Sequence, residues 1–474
     1  MPVYAVGTRT KPDASLIRRR RFLQSLFAAA ACPAACAAPR PSRPLLGELK
    51  ADPNRLLDVP AGFRTHVVSR AGDAMSDGLQ VPRAHDGMAA FPGRDGRVIL
   101  VCNHEMESGT PEYSAFGTHF TSLPEPLRER VYDWGGSESP GAGGTTTTVW
   151  DPAGRRTERQ FLSLAGTELN CSGGATPWGS WLSCEESFAD PGISYATGQR
   201  IVREEKHGYV FEVRADADGL ADPLPIRAMG RFEHEAAAVH AASGTVYMTE
   251  DRYHSLFYRY LPDVAGELLA GGRLQALALA GEPSAPTHNW GSRPDYAVGD
   301  RLPVRWLDLD NVDPVEDDLR MRGEARGAAT FARGEGLCAA GDAIVFTCTI
   351  GGPARLGQVW SYTPSPFEGT ERESESPGHL ELVCEATRES LLRNADNLTQ
   401  APWGDLVICE DTSGNCGIVG VRPDGSQYPI ADNVYSSSEL SGVCFSPDGR
   451  TLFVNVQYPG TTVAITGPWP GANA

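Results

Sequence analysis

Short apolar runs, separated by turns that contain glycine, recur along most of this chain. Six segments share one form, in which an apolar residue or two precedes a glycine turn and then an apolar run. These segments are 90–105, 176–186, 236–251, 336–351, 398–411 and 442–457. Most are followed by another apolar run with an aromatic residue near its middle, as at 145–150 and 256–261. Such runs, bounded by Gly, Pro, Asp and Asn, predict strands and an all-β fold.

The repetition of a strand-turn-strand unit at intervals of tens of residues is typical of a propeller or a solenoid. We therefore predict a six-bladed β-propeller with long loop insertions over the channel mouth, the longest at 107–144. A β-sandwich also contains hairpins of this kind, and it remains the alternative fold.

Acids stand where the apolar runs end, and this favours the propeller, because equivalent strand ends in that fold lie on one ring. Four of the six units finish in acid: Glu105, Glu185 with Glu186, Glu250 with Asp251, and Glu410 with Asp411. Converging carboxylates repel one another unless cations lie between them. The sequence therefore predicts a metal site near one mouth of the channel.

The first residues read as an export signal. Arg19 and Arg20 precede Phe22, Leu23 and an apolar stretch to about Ala38, which resembles a twin-arginine signal. We predict a signal peptide at 1–38, a linker and lead-in segment at 39–87, and one propeller domain at 88–474. The predicted location is periplasmic or secreted, with the twin-arginine export machinery as a partner. Pro33 makes Cys36 a poor match to a lipid-anchoring site.

Composition excludes several classes of partner and site. The 474 residues carry a formal net charge of −18, which argues against nucleic acid, because phosphate backbones require basic patches. The eleven cysteines include no CxxC pair, so neither a zinc knuckle nor a dense disulfide scaffold is indicated. No other apolar run has the roughly 20 residues of a membrane helix. We predict a monomer without stable membrane insertion.

Arg333 and Glu335 lie in a short glycine-flanked segment, FARGEG, just before the fourth unit. Arginine offers a planar fork of donors that suits phosphate oxygens. Glu335 projects to the same side as Arg333 if the segment is extended. We predict that both are catalytic residues, with a surface Arg–Glu ion pair as the alternative.

Three further positions are candidate ligands. The thiolate of Cys171, next to carboxylates, favours iron or zinc over calcium, although a buried inert cysteine fits equally well. The RFEHE segment at 231–235 offers oxygen or imidazole ligands around His234, or is an ordinary turn before a strand. Asp396 and Asn397 either orient a ligand or cap a turn.

Several segments together resemble the PhoX-type alkaline phosphatases. They are VCNHE, NCSGGATPWGSWLSCEE, RFEHE, YMTEDR, FARGEG, DNLTQAPWGDLVICED and ELSGVCFSPDGRTLFVNVQYPG, in the order of that family, and they span 101–460. The resemblance implies a six-bladed propeller with an iron and calcium cluster at the channel mouth, and hydrolysis of phosphate monoesters.

Roles carried over by this resemblance fall on named residues. Iron would be bound by Cys171, Glu185 and Glu250. Calcium would be bound by Glu186, Asp251, Glu335, Glu410 and Asp411. Arg333 would hold the phosphate of the substrate.

Three functions remain in competition at this point. The first is an exported metal-dependent alkaline phosphatase that acts on small phosphate esters with Fe(III) and Ca²⁺. The second is a propeller lactonase or phosphotriesterase with calcium in its channel. The third is an exported calcium-binding protein without catalysis.

Overall fold

The apolar runs fold into 28 β-strands within residues 45–122, 125–138, 140–196, 199–291 and 295–471, which the computed structural model describes. The predicted signal peptide at 1–38 lies outside the described residues. The strands are β1 (Leu49–Lys50), β2 (Leu57–Pro60), β3 (Arg64–Arg70), β4 (His85–Pro92), β5 (Val98–His104), β6 (Gly143–Asp151), β7 (Arg156–Thr167), β8 (Asn170–Ala175), β9 (Ser180–Glu185), β10 (Gly192–Ala196), β11 (Gln199–Arg203), β12 (Val210–Arg214), β13 (His234–Val239), β14 (Val246–Glu250), β15 (Tyr258–Pro262), β16 (Gly272–Leu279), β17 (Arg301–Asp308), β18 (Gly334–Ala340), β19 (Ala343–Cys348), β20 (Gln358–Thr363), β21 (His379–Glu385), β22 (Ala395–Gln400), β23 (Leu406–Glu410), β24 (Gly417–Val421), β25 (Gln427–Asn433), β26 (Leu440–Phe445), β27 (Thr451–Val456) and β28 (Thr461–Thr466).

Helices in the described residues are short and lie in the connections. The α-helices are α1 (Glu125–Arg128) and α2 (Leu319–Ala325). The 3₁₀ segments are Arg94–Gly96, Pro111–Tyr113, Gly117–Ser122, Gly135–Ser137, Arg227–Met229, Leu268–Ala270 and Glu373–Glu375.

Antiparallel pairing of consecutive strands builds the sheets. Two sheets have four strands, in the orders β4-β5-β6-β7 and β26-β27-β28-β3, and a third has the order β12-β9-β8. A nine-stranded sheet, β13-β14-β15-β16-β17-β21-β20-β19-β18, contains two such groups joined through β17. A further sheet has the order β1-β2-β25-β24-β23-β22, and β10 pairs with β11 in a separate hairpin.

The first strand of each group packs against its neighbours in a closed order, β4, β8, β13, β18, β22, β26 and back to β4. A cavity of about 330 Å³ lies inside this ring and is lined by residues of all six strands. Apolar side chains fill the spaces between neighbouring groups, for example Phe91 with Trp181, and Leu452 with Val407. The predicted all-β fold is confirmed, and the arrangement is that of a β-propeller.

The lead-in segment contributes strands to this arrangement. β3 pairs with β28, the last strand, from Thr461↔Arg70 to Thr466↔Arg64, so an early strand and the last strand share one sheet. β2 adds to β25 on the neighbouring sheet. The segment predicted at 39–87 therefore contains β1, β2, β3 and the start of β4, as well as connecting residues.

The long insertion after β5 packs beside the first sheet. Its residues Phe116 and Val131 join Leu162 and Ala165 of β7, the outermost strand, in one apolar cluster. In the described part of the chain, no helix has the length and apolar character that crossing a membrane requires.

Candidate functional site

The first strand of each group lines the cavity, and we call it the inner strand. Each of these six strands, β4, β8, β13, β18, β22 and β26, carries a β-bulge near its start. The register with the second strand shifts between His85 and Met88, Asn170 and Gly173, His234 and Ala237, Gly334 and Leu337, Ala395 and Leu398, and Ser441 and Cys444. A bulge inserts one extra residue and re-aims the side chains beside it. The first residue inside each shift is Asp86, Cys171, Glu235, Glu335, Asp396 or Gly442.

Five of these six residues are acids or a thiol, and they meet where the inner strands begin. Glu105 and Glu186, the residues that follow β5 and β9, join them. Three groups have ligand atoms within 4.8 Å of one another: Asp86 with Glu105 and Cys171, Cys171 with Glu186 and Glu235, and Glu235 with Glu335 and Asp396. Because successive groups share a residue, the seven side chains form one continuous cluster.

Burial and mutual repulsion oppose the charged forms of these acids. Burial, followed by the charges of Asp396, Asp251 and Asp411, raises the pKa of Glu105 to about 7. Burial and the charge of Asp411 raise the pKa of Asp396 to about 7. The pKa of Cys171 is also raised, first by burial and then by the acids around it. The site therefore favours bound cations or protons.

The donor atoms fit metal ions. Among the described residues, Asp86 Oδ1 and Glu235 Oε2 are buried without a hydrogen-bond partner. Cys171 donates from Sγ to Glu235 Oε1 at 3.2 Å. A buried carboxylate oxygen without a partner is costly unless a cation or donor satisfies it. Carboxylates suit calcium, whereas a thiolate selects softer transition metals, so this set offers both kinds of ligand.

Arg333 is the cation at the edge of this cluster. Its Nε and Nη2 donate to the two carboxylate oxygens of Asp251 at 2.8 and 2.6 Å. Nη2 also lies 2.8 Å from Glu335 Oε1. Its backbone has a φ of 53°, a left-handed conformation that a side chain rarely adopts and that functional sites often retain. With 29% of the side chain exposed, the guanidinium is accessible to a ligand.

Two further acids, Asp411 and Glu439, lie near the cluster. Asp411 raises the pKa of both Glu105 and Asp396, so it lies near the cluster. Glu439 precedes β26, and burial with the charges of Asp396 and Asp86 raises its pKa to about 11.

Three predicted ligands, Glu185, Glu250 and Glu410, have other partners. Glu185 accepts hydrogen bonds at Oε1 from His207 Nδ1 and the Glu168 N–H, and at Oε2 from the Gly208 and Tyr209 N–H groups. Glu250 Oε2 accepts from the Leu256 N–H and the Tyr258 hydroxyl. Glu410 accepts from the Arg393 and Gly417 N–H groups.

Each of these three glutamates ends the second strand of its group and accepts hydrogen bonds from residues at or just before the start of the third strand. The following residues, Glu186, Asp251 and Asp411, belong to the cluster or contact it, because successive side chains of an extended chain point to opposite sides. The structure thus includes Cys171, Glu186 and Glu335 in the metal-ligand groups, with Asp251, Arg333 and Asp411 near them. Glu185, Glu250 and Glu410 belong to none of these groups.

Sequence reasoning missed Asp86 and Glu439 and left Glu235 and Asp396 undecided. His234, which precedes Glu235, donates from Nε2 to the Gly230 carbonyl oxygen and stacks on Phe232. A signal was present, because an acid or thiol occupies the second position of HDG, NCS, HEA, GEG and ADN. Those five segments align only once the bulges are known.

A family model described as alkaline phosphatase PhoX matches residues 45–155 and 142–460. Among solved structures, the chain is similar to Pseudomonas fluorescens PhoX in complex with vanadate, a transition-state analogue. The TM-score is 0.63 at 18% identity, and the match covers 88% of this chain and 97% of that one. At this identity the likeness concerns the fold.

Other solved structures are more distant. The gluconolactonase XC5397 from Xanthomonas campestris has a TM-score of 0.38 at 14% identity, covering 86% of this chain and 97% of that one. The virginiamycin B lyase from Staphylococcus aureus has a TM-score of 0.35 at 10% identity, covering 85% and 99%. No curated protein sequence is significantly similar to the chain.

Proposed function

The chain belongs to the PhoX alkaline phosphatase family, and from this membership we propose that it is a metal-dependent phosphatase that hydrolyses phosphate monoesters. One observation carries the proposal. A thiol, a continuous cluster of carboxylates and a partly exposed arginine meet at the end of the ring where the inner strands begin. The binding of vanadate by the P. fluorescens PhoX supports phosphoryl transfer as the reaction class.

The donor chemistry supports iron at the thiol and calcium among the carboxylates. Iron would be held by Cys171 with acids from Asp86, Glu105, Glu186 and Glu235. This ligand set replaces Glu185, whose two oxygens accept hydrogen bonds from the protein, and Glu250, whose Oε2 accepts two hydrogen bonds and whose Oε1 lies 3.6 Å from Arg320 Nη1.

Calcium would be held by the remaining acids of the site, which are Glu335, Asp396, Asp251 and Asp411. Bound cations supply Lewis acidity, which neutralises the ester oxygens and makes a water molecule a better nucleophile.

Arg333 would bind the equatorial oxygens of the phosphoryl group. Asp251 holds the guanidinium through two parallel hydrogen bonds, so its orientation is set before a substrate arrives. Glu335 flanks the same guanidinium and would position it as well as bind a cation. A preorganised donor of this kind stabilises charge that develops in the transition state.

The test is phosphate release by the metal-loaded protein at alkaline pH. We expect iron and calcium by elemental analysis, and hydrolysis of a generic aryl phosphate. Arg333→Ala should lower kcat/KM by about 10²- to 10³-fold, the usual effect of removing one such donor. Arg214→Ala, which removes an exposed arginine paired with Asp216, is the control. Full metal content without phosphate release would reject the function.

We further infer the features that lie beyond the described site. Six blades are supported by the closed order of six inner strands and by the cores between them. The Arg19–Arg20 pair supports twin-arginine export to the periplasm or medium. A monomer completes the proposal, with one propeller domain at 88–474 whose sheets also take in strands of the lead-in segment at 39–87. Size-exclusion chromatography and signal-peptide replacement test the monomer and the export route.

A further inference from the structure

Beside Arg333 lies a group of rings that the cluster does not use, which we name the aromatic rim. It consists of Tyr253, His254, His288, Trp290 and Arg355. His288 stacks on Trp290 with ring centroids 4.1 Å apart, and the Arg355 guanidinium lies 4.6 Å from the centre of the Trp290 ring. His254 contacts both His288 and Trp290 edge-on. Tyr253 and Trp290 form a T-shaped pair with their ring centroids 6.4 Å apart.

Hydrogen bonds fix the rim relative to Arg333. The Arg333 N–H donates to the carbonyl oxygen of Arg252, the residue before Tyr253. The Arg333 carbonyl oxygen accepts from the Thr349 N–H. The carbonyl oxygen of Ile350, the residue after Thr349, accepts from Trp290 Nε1 at 2.7 Å. Both sides of the rim are therefore joined to the segment that carries the arginine.

The rim also lies on the same side of the ring as the cluster. Tyr253 and His254 belong to the turn after β14, and Ile350 belongs to the turn after β19. β14 and β19 are antiparallel to β13 and β18. The last residues of β14 and β19 therefore lie beside the bulged starts of β13 and β18. A phosphate held by Arg333 would consequently have its ester group within reach of Tyr253, two residues beyond Asp251.

Tyr253 is a solvent-exposed aromatic residue of the rim. It is 62% exposed, whereas Trp290 is half-buried and carries His288 and Arg355 against its ring. An exposed aromatic face held by its neighbours loses little conformational entropy when another ring packs on it.

We propose that the aromatic rim is a subsite for the leaving group, with Tyr253 as a specificity-determining residue for phosphate monoesters whose alcohol carries an aromatic ring. The inference rests on the proposed function. In the reaction, a water molecule forms a bond to phosphorus and loses a proton, the bond from phosphorus to the ester oxygen breaks, and that oxygen takes up a proton, so that the alcohol and inorganic phosphate are released. The rim contacts only the alcohol.

Adenosine 5′-monophosphate and ribose 5-phosphate make the sharpest pair of substrates. Both contain the same 5′-phosphate ester, and only the nucleotide carries an aromatic base. We expect the metal-loaded full chain to prefer the nucleotide. Tyr253→Ala should lower the ratio of kcat/KM for the nucleotide to that for the sugar phosphate about 3- to 10-fold, the range that aromatic pairs contribute. Tyr253→Phe should keep the ratio.

Two controls make the result specific. Tyr253→Leu keeps the bulk of the side chain without its ring and should also lose the preference. Tyr195→Ala removes an exposed tyrosine on the β10–β11 hairpin and should keep the ratio. A wild-type ratio near one, or a ratio that Tyr253→Ala does not change, would overturn the subsite.

Binding separates this inference from the proposed function. If the metal-loaded protein hydrolyses neither compound, calorimetry still measures its affinity for both. If an aryl phosphate is not hydrolysed either, the phosphatase function fails. The subsite then stands if the nucleotide binds more tightly and Tyr253→Ala removes the difference, and it falls if the two affinities are equal.

Discussion

Glu185 and Glu186 are neighbours in the chain and lie in opposite environments. Glu185 ends β9 with both oxygens bound by donors from the protein, among them the Gly208 and Tyr209 N–H groups. Glu186 shares a group of metal-ligand atoms with Cys171 and Glu235. One glutamate therefore holds the sheet together and the next is available to a cation, because consecutive side chains of an extended chain face opposite sides.

Exchanging each glutamate for glutamine should separate these roles. Glu185→Gln places an amide N–H₂ against donors, so we expect a loss of about 1–3 kcal/mol in the free energy of unfolding. Glu186→Gln should lower the bound metal per chain and kcat/KM, with a smaller effect on the stability of the metal-free protein. Thermal unfolding after chelation and elemental analysis measure the two effects.

Glu410 supplies a second comparison, since it accepts from the Arg393 and Gly417 N–H groups in the manner of Glu185. Glu410→Gln should behave as Glu185→Gln does. Metal loss in either variant without a loss of stability would contradict the assignment of Glu185 and Glu410 to a structural role.

At the scale of the element, the bulged strand start is the device that assembles the site. Neighbouring bulges approach so closely that some positions accept only glycine. A Cβ added at Gly336 would lie 2.6 Å from Asp396 O and 2.7 Å from Asn397 Cα. Because these are backbone atoms, they can yield only if β18 and β22 move apart.

Gly336→Ala should therefore destabilise the protein by about 1–3 kcal/mol, as overpacking usually does. It should also lower metal content, because Glu335 and Asp396 flank the point of contact. Gly219→Ala is the matched control, since a Cβ there meets nothing within 4 Å. Thermal unfolding and elemental analysis of both variants give the measurement, and equal behaviour of the two would refute the close approach.

The sequence predicts the strands of these elements better than it predicts their bulges. The runs at 98–104 and 406–410 fold as β5 and β23, because apolar runs between turn residues carry a local signal. A bulge depends on the register between two strands, which local sequence does not specify. The predicted ligands omit Asp86 for this reason, whereas they include Cys171 and Asp251 because motifs carry those two residues. The position at which β9 ends likewise decides that Glu185 faces His207 and the Gly208 and Tyr209 N–H groups.

At the scale of the molecule, β3 closes the ring by pairing with β28. Without β3, the backbone donors and acceptors of β28 form an open sheet edge, and such edges promote aggregation. We expect a protein that begins at residue 71 to aggregate or to unfold at a lower temperature than one that begins at residue 45. Light scattering and thermal unfolding provide the comparison, and equal unfolding temperatures would show that closure by β3 contributes nothing.

The cluster also affects the whole molecule, because four of its acids and its thiol come from five inner strands that pack in one ring. Without cations, repulsion at this point opposes the closure of the ring. Glu235→Gln removes one charge and retains an oxygen that accepts from Cys171 Sγ. At pH 8 we expect it to raise the unfolding temperature of the chelated protein and to lower that of the metal-loaded protein.

This reversal of sign distinguishes a metal cluster from a set of acids that simply tolerate burial. A ligand's charge is unfavourable when the site is empty and favourable when cations fill it, so one substitution must act in opposite directions. Glu371→Gln, at an exposed position, should shift neither unfolding temperature. If Glu235→Gln changes both forms in the same direction, Glu235 is not a ligand, and the cluster holds its cations through the other acids.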